Sequence, residues 1–267
     1  MAMLSDRVII VTGASEGIGR ALCLALASQR PKLVVAARNE ARLDELKQEV
    51  ERLGAQALVV PTDVTDEQAC KHLVERAVAE WGGIDVLVNN AGGTMWALLE
   101  DIQDTSIFER LMRVNYLGSV YCTYYALPHL KARRGRIAAI SSVAGLAGVP
   151  TRTGYAASKH ALFGFFDSLR IELRDSGVSV TMIAPDYVLS EVHRRALGPD
   201  GAPLGQSPMQ EDKIMTADQC AALIVEAIER RKRLLITSRR GKIARVLQVI
   251  APGLIDRIAA KAIREAK

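Results

Sequence analysis

The sequence predicts a single-domain α/β fold, a doubly wound sheet of about seven parallel strands with helices on both faces. Short apolar runs alternate along the chain with longer segments in which apolar residues recur every three or four positions. The runs are apolar at consecutive positions, as expected of strands that helices cover on both faces. A glycine-rich turn directly follows the first run. We expect strands at 8–11, 33–37, 57–60, 86–88, 137–140, 180–184 and 234–236.

Two of the segments between strands carry helical stripes of apolar residues. Leu43, Leu46, Val50 and Leu53 form the first, and Gly54 follows as a stop signal. The second stripe opens with a capping-box pattern; its residues are Thr65, Gln68, Leu73, Val74, Ala77, Val78 and Trp81. Hydrophobic residues make up 49% of the chain and aromatic residues 4%, so aliphatic side chains must fill most of the core.

The chain divides by charge rather than by a linker. We assign residues 1–240 to the sheet domain and residues 241–267 to a basic, amphipathic, helical extension of it. From position 230 onward the chain has 12 Lys and Arg against 2 Asp and Glu, whereas the preceding part is slightly acidic. The apolar surface of the extension has two open interpretations: it packs on its own body, as a lid or subunit contact, or it lies on an anionic membrane.

Several functional classes are disfavoured by composition. No leader with basic and apolar regions precedes the first strand and no run is long enough to span a bilayer, so we expect a cytoplasmic location, at most peripheral at a membrane. The four cysteines are widely spaced, which favours free thiols in a reducing compartment. The four histidines show no metal-ligand spacing, so we expect no metal site. The basic cluster at 230–233 lies at a predicted helix end and predicts no nucleic-acid binding.

The segment TGASEGIG at 12–19 joins the first strand to a helix. Its glycines allow a tight turn and bring backbone N–H groups close to a pyrophosphate, to which the helix N-terminus adds partial positive charge. A sharp strand–helix turn without a ligand is the alternative. Because the segment follows the first strand of an α/β chain, we favour a dinucleotide site, with the contacts Gly13, Ser15, Glu16, Gly17, Ile18 and Gly19.

The end of the second strand favours NADP(H) over NAD(H). An acidic side chain there would bind the ribose hydroxyls and repel a 2′-phosphate. This chain has Ala37 at that position, followed by Arg38 and Asn39, and a guanidinium suits a phosphate dianion. Glu16 argues the other way, and a solvated surface charge is the alternative for Arg38. NAD(H) therefore stays the less favoured cofactor.

Two further strand ends carry candidate cofactor contacts. Asp63 and Val64 follow the third strand and could hold the adenine edge, and Asn90, Ala91 and Gly92 follow the fourth and could let the backbone approach the nicotinamide ribose. Each alone is typical of an ordinary strand-end turn. Their recurrence at successive carboxyl ends favours one ligand-binding edge.

Tyr155 and Lys159 are four residues apart in a predicted helix and therefore share a face. A cation one turn away is expected to lower the pKa of the phenol and make it a usable acid or base. Ser142 ends the fifth strand and can donate to a substrate oxygen. Asn115 lies in a long helical segment before that strand. A surface contact is the alternative for the Tyr–Lys pair.

Together, TGASEGIG at 12–19, NNAG at 89–92, Asn115, the serine pair ending at Ser142 and YAASK at 155–159 resemble the short-chain dehydrogenase/reductase family. The resemblance covers residues 5 to about 240, with the motifs in the family's order. It implies a Rossmann-type sheet and a carbonyl–alcohol oxidoreductase, commonly a homodimer or homotetramer. It also implies Tyr155 as general acid/base, Lys159 on the nicotinamide ribose, Ser142 on the substrate oxygen and Asn115 beside a relay water.

Residues 108–120, 155–161 and 250–254 are further similar to the branch with 11β-hydroxysteroid dehydrogenase, 3-ketodihydrosphingosine reductase and dehydrogenase/reductase member 7B, whose substrates are lipid-like. Pro185 and Val188 would extend the cofactor site, although the usual Pro-Gly becomes Pro185-Asp186 and Ser190 replaces a threonine. We expect a lipophilic ketone as substrate, and a long loop at 187–213 to cover its pocket. The alternatives are a non-catalytic NADP(H) sensor or scaffold and a lipid reductase docked through its tail. The expected pocket residues are Ser142, Met95, Trp96, Leu146, Val149 and Tyr187.

Overall fold

The structure, a computed structural model, describes residues 3–209 and 214–264. Residues 210–213 of the predicted loop, residues 265–267 of the predicted tail and the side chain of Ile263 lie outside this description. The described chain forms one sheet whose strands are all parallel, in the order β3-β2-β1-β4-β5-β6-β7. The strands are β1 Val8–Thr12, β2 Lys32–Ala37, β3 Gln56–Pro61, β4 Val86–Asn89, β5 Arg136–Ile140, β6 Ser179–Ala184 and β7 Leu234–Ile236.

Helices cover both faces of this sheet, which confirms the predicted doubly wound class. Helices α1, α2 and α7 pack on one face, and α3, α5 and α6 on the other. Apolar side chains of the strands point to both faces of the sheet and form the centre of each of the two hydrophobic cores. The helices are α1 Gly17–Ala27, α2 Glu40–Arg52, α3 Glu67–Trp81, α4 Ser106–Leu111, α5 Gly118–Ala132, α6 Thr153–Glu172, α7 Ala217–Glu229, α8 Arg239–Ile250 and α9 Pro252–Arg264.

The predicted capping box at α3 is wrong by one residue. Asp66 caps the helix, and its carboxylate accepts a hydrogen bond from the backbone N–H of Gln68 at 2.8 Å. The hydroxyl of Thr65 instead donates to Asp63 at 2.8 Å. A carboxylate one position nearer to the first turn reaches its orphan N–H groups directly, which leaves the threonine for the preceding turn.

A widened turn divides the long helical segment that the sequence predicts before β5. Residues Met112–Leu117 form a π-helical stretch between α4 and α5. Such a stretch inserts an extra residue into the turn, and these insertions are frequent at functional sites. Asn115 lies within it and is fully buried. The switch of helical geometry therefore sets where this amide lies.

The long loop after β6 is folded onto the body of the protein over its described part. Leu197 exchanges backbone hydrogen bonds with the segment after β4, donating to the Thr94 carbonyl and accepting from the Trp96 N–H, both at 2.9 Å. Isolated bridges also join Leu197 to Pro203 and Val188 to Met215. These contacts bring the loop across the carboxyl ends of β4 and β6.

Candidate active site

A cleft of about 1040 Å³ opens at the carboxyl edge of the sheet. It lies where the strand order reverses between β1 and β4, which is where open α/β sheets bind their ligands. Every residue that the sequence predicts as a cofactor contact lines this cleft, except Gly19. The predicted catalytic residues Ser142, Tyr155 and Lys159 line it as well.

Close packing explains the glycines of the turn after β1. Gly13 has a positive φ of 65°, and a Cβ there would lie 2.8 Å from the Cα of Ala91. Gly19 lies inside α1, where a Cβ would come within 2.2 Å of the Gly13 carbonyl oxygen. Gly19 therefore shapes the turn from behind rather than lining the cleft.

The turn and the loop after β4 hold each other in place. The hydroxyl of Thr12 accepts hydrogen bonds from the N–H groups of Asn90 at 3.0 Å and Ala91 at 3.1 Å. The Asn90 amide donates in return to the carbonyls of Thr12 and Gly13. Asn90 thus joins the glycine-rich turn to the loop after β4, and both segments line the cleft.

A nicotinamide dinucleotide fits this cradle. At Gly92 a Cβ would lie 2.7 Å from the Asn115 Oδ1 atom and 3.5 Å from the Lys159 Nζ atom, so bare backbone faces Lys159. Glu16 precedes α1 without a side-chain hydrogen bond to its first turn. The N–H groups of that turn are not taken by a cap, and they suit a pyrophosphate.

Three arginines surround the expected adenosine end of the cleft. Arg38 and Arg42 line it from the end of β2 and the start of α2, and Arg195 lines it from the long loop. Glu16 forms ion pairs with Arg42, at 2.8 Å, and with Arg195. The carboxylate that argues against a 2′-phosphate is therefore balanced by two guanidinium groups. Asn39 caps α2 and accepts from the Arg42 N–H at 3.0 Å.

The residues after β3 border the cleft with their own contacts already formed. Asp63 accepts hydrogen bonds from the N–H and the hydroxyl of Thr65, at 2.9 and 2.8 Å. Val64 is 7% exposed and packs where Gly118 has no side chain. The turn that the sequence predicts to contact the adenine is thus held by its own hydrogen bonds.

Tyr155, Lys159 and Ser142 converge at the floor of the cleft. The Lys159 ammonium lies 5.7 Å from the centre of the Tyr155 ring and donates to the Ile140 carbonyl at 2.9 Å. Ser142 caps a short turn after β5, where its hydroxyl accepts from the Ala144 N–H at 3.2 Å. The end of β5 and the first two turns of α6 therefore place a phenol, an ammonium and a hydroxyl together.

Burial shifts the pKa of both titratable groups in this set. It raises the pKa of Tyr155 above its usual value, although a hydrogen bond with Ser142 and the charge of Arg152 act in the other direction. It lowers the pKa of Lys159 to about 8. The expected lowering of the phenol pKa by Lys159 is therefore not what the structure gives, because removal from water outweighs the neighbouring charges.

Asn115 is a clamp between two segments of the site. Its side-chain amide donates to the Gly93 carbonyl at 3.0 Å and to the Ser158 hydroxyl at 2.8 Å, and its Oδ1 atom accepts from the Gly93 N–H at 2.8 Å. The side chain thus ties the loop after β4 to the helix that carries Tyr155.

The segment after β6 lines the cleft through Pro185, Asp186 and Val188. The Asp186 carboxylate accepts hydrogen bonds from the Ser238 hydroxyl at 2.7 Å and from the Arg240 guanidinium at 2.7 and 3.1 Å. Its charge is therefore engaged by the start of α8, and the unusual aspartate does not leave a bare carboxylate in the cofactor cleft.

Of the residues predicted for the substrate pocket, only Ser142 is in the described lining of the main cleft, although Trp96 and Tyr187 lie beside Arg152. Met95 is fully buried in a small core cluster with Ile107 and Leu111, because Gly154 leaves room for its sulfur. Tyr187 borders an adjoining cleft on the far side of Asp186. Leu146, Val149 and Trp96 are partly exposed residues outside the described lining of the main cleft, whereas Ser142 lies within it.

Sequence reasoning missed Arg42 and Arg195 at the adenosine end of the cleft and, beside the candidate catalytic phenol, Arg152. Arg152 lines the cleft, is 5% exposed, and lies three residues before Tyr155 at the start of α6. The spacing of three that places it near Tyr155 is a usable signal. An arginine beside a helix N-terminus is, however, more often solvated. The burial of Arg152 depends on Trp96 and Tyr187, which are distant from it in sequence.

The comparisons with known proteins agree with this geometry. The family model described as short chain dehydrogenase matches residues 7–198. The 11-beta-hydroxysteroid dehydrogenase of Pinus massoniana is 34% identical over 95% of this chain and 73% of its own. Dehydrogenase/reductase SDR family member 7B of Mus musculus is 33% identical over 99% of this chain and 83% of its own.

Among solved structures, a short chain dehydrogenase/reductase from Burkholderia phymatum in complex with NAD has a TM-score of 0.84 at 24% identity, covering 95% of this chain and 96% of that one. At this identity the likeness concerns the fold. Within residues 3–209 and 214–264, no helix has both the length and the apolarity to cross a bilayer. The same residues contain no cluster of side chains suited to hold a metal ion.

Proposed function

Because the chain belongs to the short-chain dehydrogenase/reductase family, we propose that it is an NADPH-dependent reductase of a lipophilic carbonyl compound. The convergence of Tyr155, Lys159 and Ser142 in the cleft beneath the glycine-rich turn carries this proposal. The arginines at its adenosine end support the choice of NADPH. Its relatives named as 11-beta-hydroxysteroid dehydrogenases support a lipophilic substrate.

A nicotinamide cofactor, when bound, supplies the hydride that reduces the carbonyl carbon. The Ser142 hydroxyl donates a hydrogen bond to the carbonyl oxygen as negative charge develops on it. Tyr155 gives its proton to that oxygen, which completes the alcohol. Its raised pKa keeps the phenol protonated at neutral pH, the form a proton donor needs. Lys159 holds a positive charge beside the resulting phenolate and thereby stabilises it.

Tyr155→Phe tests this role. We expect NADPH oxidation with a hydrophobic ketone to fall by about 10²-fold or more, while the dissociation constant for NADPH stays within a factor of two. Tyr125→Phe is the matched control, because this phenol lies on α5 and donates to Glu67 away from the cleft. Unchanged turnover in Tyr155→Phe would contradict the mechanism. Tight NADPH binding without turnover of any ketone or alcohol would instead favour a non-catalytic sensor or scaffold.

Arg38→Asp tests the cofactor preference. A carboxylate at the end of β2 repels a 2′-phosphate and can accept from ribose hydroxyls. We expect the ratio of kcat/KM for NADPH to that for NADH to fall by about 10²-fold, as two or more charge-assisted contacts are lost. A ratio near one in the wild-type enzyme, or one that Arg38→Asp leaves unaltered, would overturn the proposed preference.

We also propose that the extension 241–267 places the enzyme on anionic membranes. Most of its described apolar side chains are exposed, among them Val249 at 81% and Ile250 at 71%. Contact with the body is shown at Gly241, where a Cβ would meet Val143 and Ile236, and Ile255 is a buried exception at 9% exposure. Exposed apolar residues flanked by Lys and Arg suit the interface of an anionic bilayer.

Sedimentation with liposomes tests this docking. We expect the wild type to bind vesicles containing phosphatidylserine and to bind phosphatidylcholine vesicles weakly, and Val249→Glu to abolish sedimentation. Leu53→Glu is the control, because Leu53 is equally apolar and 52% exposed but lies at the end of α2. Equal sedimentation of the wild type and both variants would contradict membrane docking through the extension.

For assembly we propose a homodimer or homotetramer formed through α5 and α6. Both helices expose apolar side chains, with Tyr124 68% and Ile171 77% exposed. Sedimentation velocity of the wild type and of Ile171→Asp measures this. A wild-type monomer at micromolar concentration would refute it.

A further inference from the structure

Within residues 3–209 and 214–264, Arg152 is a buried cation without a counter-ion. Its residue is 5% exposed, and it forms no ion pair with any residue that the structure describes. Its NH1 group reaches the Thr94 hydroxyl at 3.4 Å and its NH2 group the Met209 sulfur at 3.9 Å, both long contacts. Its buried Nε–H group has no hydrogen-bond partner among the described residues. Most buried charges are paired, so this arrangement is incomplete by itself.

The carboxylates that line the same cleft already have partners other than Arg152. Glu16 pairs with Arg42 and Arg195, and Asp186 accepts from Ser238 and Arg240. Asp63 accepts from the threonine that follows it. These three are the only carboxylates in the described lining. The positive charge of Arg152 is therefore open to a ligand.

Aromatic rings hold the guanidinium in a fixed place beside the catalytic phenol. Its central carbon lies 4.5 Å from the Trp96 ring centre, 5.5 Å from that of Tyr187 and 5.8 Å from that of Tyr155. Rings over the guanidinium face stabilise the charge and leave the N–H groups at its edge. The NH1 and NH2 groups each keep a second N–H beyond their long contacts with Thr94 and Met209, and such a pair matches a carboxylate, which can accept two parallel hydrogen bonds.

The geometry points to Arg152 as the recognition site for a carboxylate on the substrate, so that the enzyme reduces an oxo acid rather than a neutral ketone. This inference rests on the proposed reductase function and narrows its substrate class. The carbonyl would lie at Tyr155 and Ser142, with the carboxylate a short carbon chain away at the guanidinium edge. An apolar middle joining the two groups is compatible with Trp96 and Tyr187, whose rings flank the same arginine.

The alternative is that Arg152 acts only through Tyr155. Its charge lies close enough to oppose the raised pKa of the phenol. Such a role would affect every carbonyl substrate equally, whereas carboxylate recognition would affect acids alone. A matched pair of substrates therefore separates the two.

The first experiment compares 4-formylbenzoate with its neutral methyl ester, using NADPH. We expect the wild type to prefer the acid by kcat/KM. Arg152→Gln should reduce kcat/KM for the acid by about 10- to 100-fold, mainly through KM, the range for one charge-assisted hydrogen-bonded contact. The same variant should affect the ester by a smaller factor, which reflects only the influence of Arg152 on Tyr155, so that the acid-to-ester ratio of kcat/KM falls by about tenfold or more. Arg152→Lys should recover part of the preference. Equal losses on both aldehydes, or no preference in the wild type, would overturn the inference.

Arg110→Gln is the matched control, because Arg110 also borders the cleft but already donates to the Gly201 carbonyl at 2.7 Å. We expect it to keep the preference for the acid. If Arg110→Gln removes the preference as fully as Arg152→Gln, the general positive field of the cleft explains it and the assignment to Arg152 fails.

A binding measurement decides the matter even without turnover. Isothermal titration of the full chain with NADP⁺ and benzoate should show binding in the wild type that Arg152→Gln weakens at least tenfold, with benzamide binding equally weakly to both. If neither aldehyde is reduced but benzoate binds in this pattern, the reductase proposal fails and the carboxylate site stands. Benzoate binding that is absent, or equal in both proteins, refutes the site.

Discussion

Replacing Lys159 by methionine removes an ammonium that the fold buries at a measurable cost. The residue is 4% exposed, and its ammonium donates to the Ile140 carbonyl at 2.9 Å. Burial lowers the pKa of Lys159 from 10.5 to about 8. The unfolded chain therefore holds this proton more tightly than the folded one, and the charged lysine disfavours folding by about 3 kcal/mol at neutral pH.

This contribution depends on pH in a defined direction. Below pH 8 both states carry the proton and the penalty is complete. Between pH 8 and 10.5 only the unfolded chain is still protonated, so the free energy of unfolding rises with pH. Above 10.5 both states are neutral and the penalty is gone. Lys159→Met has no such group, although it leaves the Ile140 carbonyl without its donor at every pH.

Urea denaturation at pH 7 and pH 10, followed by circular dichroism, measures the effect. Between these two values the wild type should gain about 2.5 kcal/mol of stability relative to Lys159→Met. Lys47→Met is the control, because the Lys47 side chain is 41% exposed on α2 and the variant therefore removes an ammonium that the fold does not bury. A constant difference between wild type and Lys159→Met, or a change of opposite sign, would refute the burial argument.

The remaining predictions concern stability and reactivity, and urea denaturation checks the first three. Asp85→Asn should destabilise the fold by about 3 kcal/mol, because this buried carboxylate accepts from the Arg7 and Arg133 guanidinium groups at 2.9 and 3.0 Å; no loss would contradict it. Phe166→Ala should cost about 3 to 5 kcal/mol, since the ring is fully buried beneath the sheet; a loss below 1 kcal/mol would contradict it. Gly19→Ala should destabilise more than Gly164→Ala, where a Cβ meets nothing within 4 Å. The four cysteines are buried, so the native protein should show no thiol that reacts with Ellman's reagent within minutes, and rapid labelling at pH 8 would disprove this.

The strands and their order at the cleft could be predicted because the signals are local. An apolar run such as 137–140 followed by a serine pair identifies both a buried strand and its carboxyl end. Tyr155 and Lys159 share a helix face by spacing alone. The π-helical turn at Asn115 could not be predicted in this way, since a one-residue insertion into a helix leaves no mark on apolar periodicity.

The electrostatic balance of the site escaped prediction for a different reason. The direction of the Tyr155 pKa shift depends on how much water the folded chain excludes, which the nearby Lys159 does not reveal. The sequence alone gives no ion-pair partner for Glu16, because Arg195, which pairs with it, is remote in sequence. Burial and ion pairing are set by tertiary contacts, so a motif locates these groups without fixing their charge.

The two cations beside Tyr155, Lys159 and Arg152, differ in their chemistry. Lys159 gives one donor to a backbone carbonyl and has a pKa near 8, so its charge is adjustable at physiological pH. Arg152 presents a planar fork of N–H donors beside the same phenol, with no carboxylate partner among the described residues. Under the proposed function, this fork is suited to hold a substrate carboxylate, and the ammonium of Lys159 is suited to stabilise the phenolate. The proposal therefore assigns substrate affinity and stabilisation of the phenolate to two different side chains, Arg152 directly before α6 and Lys159 within it.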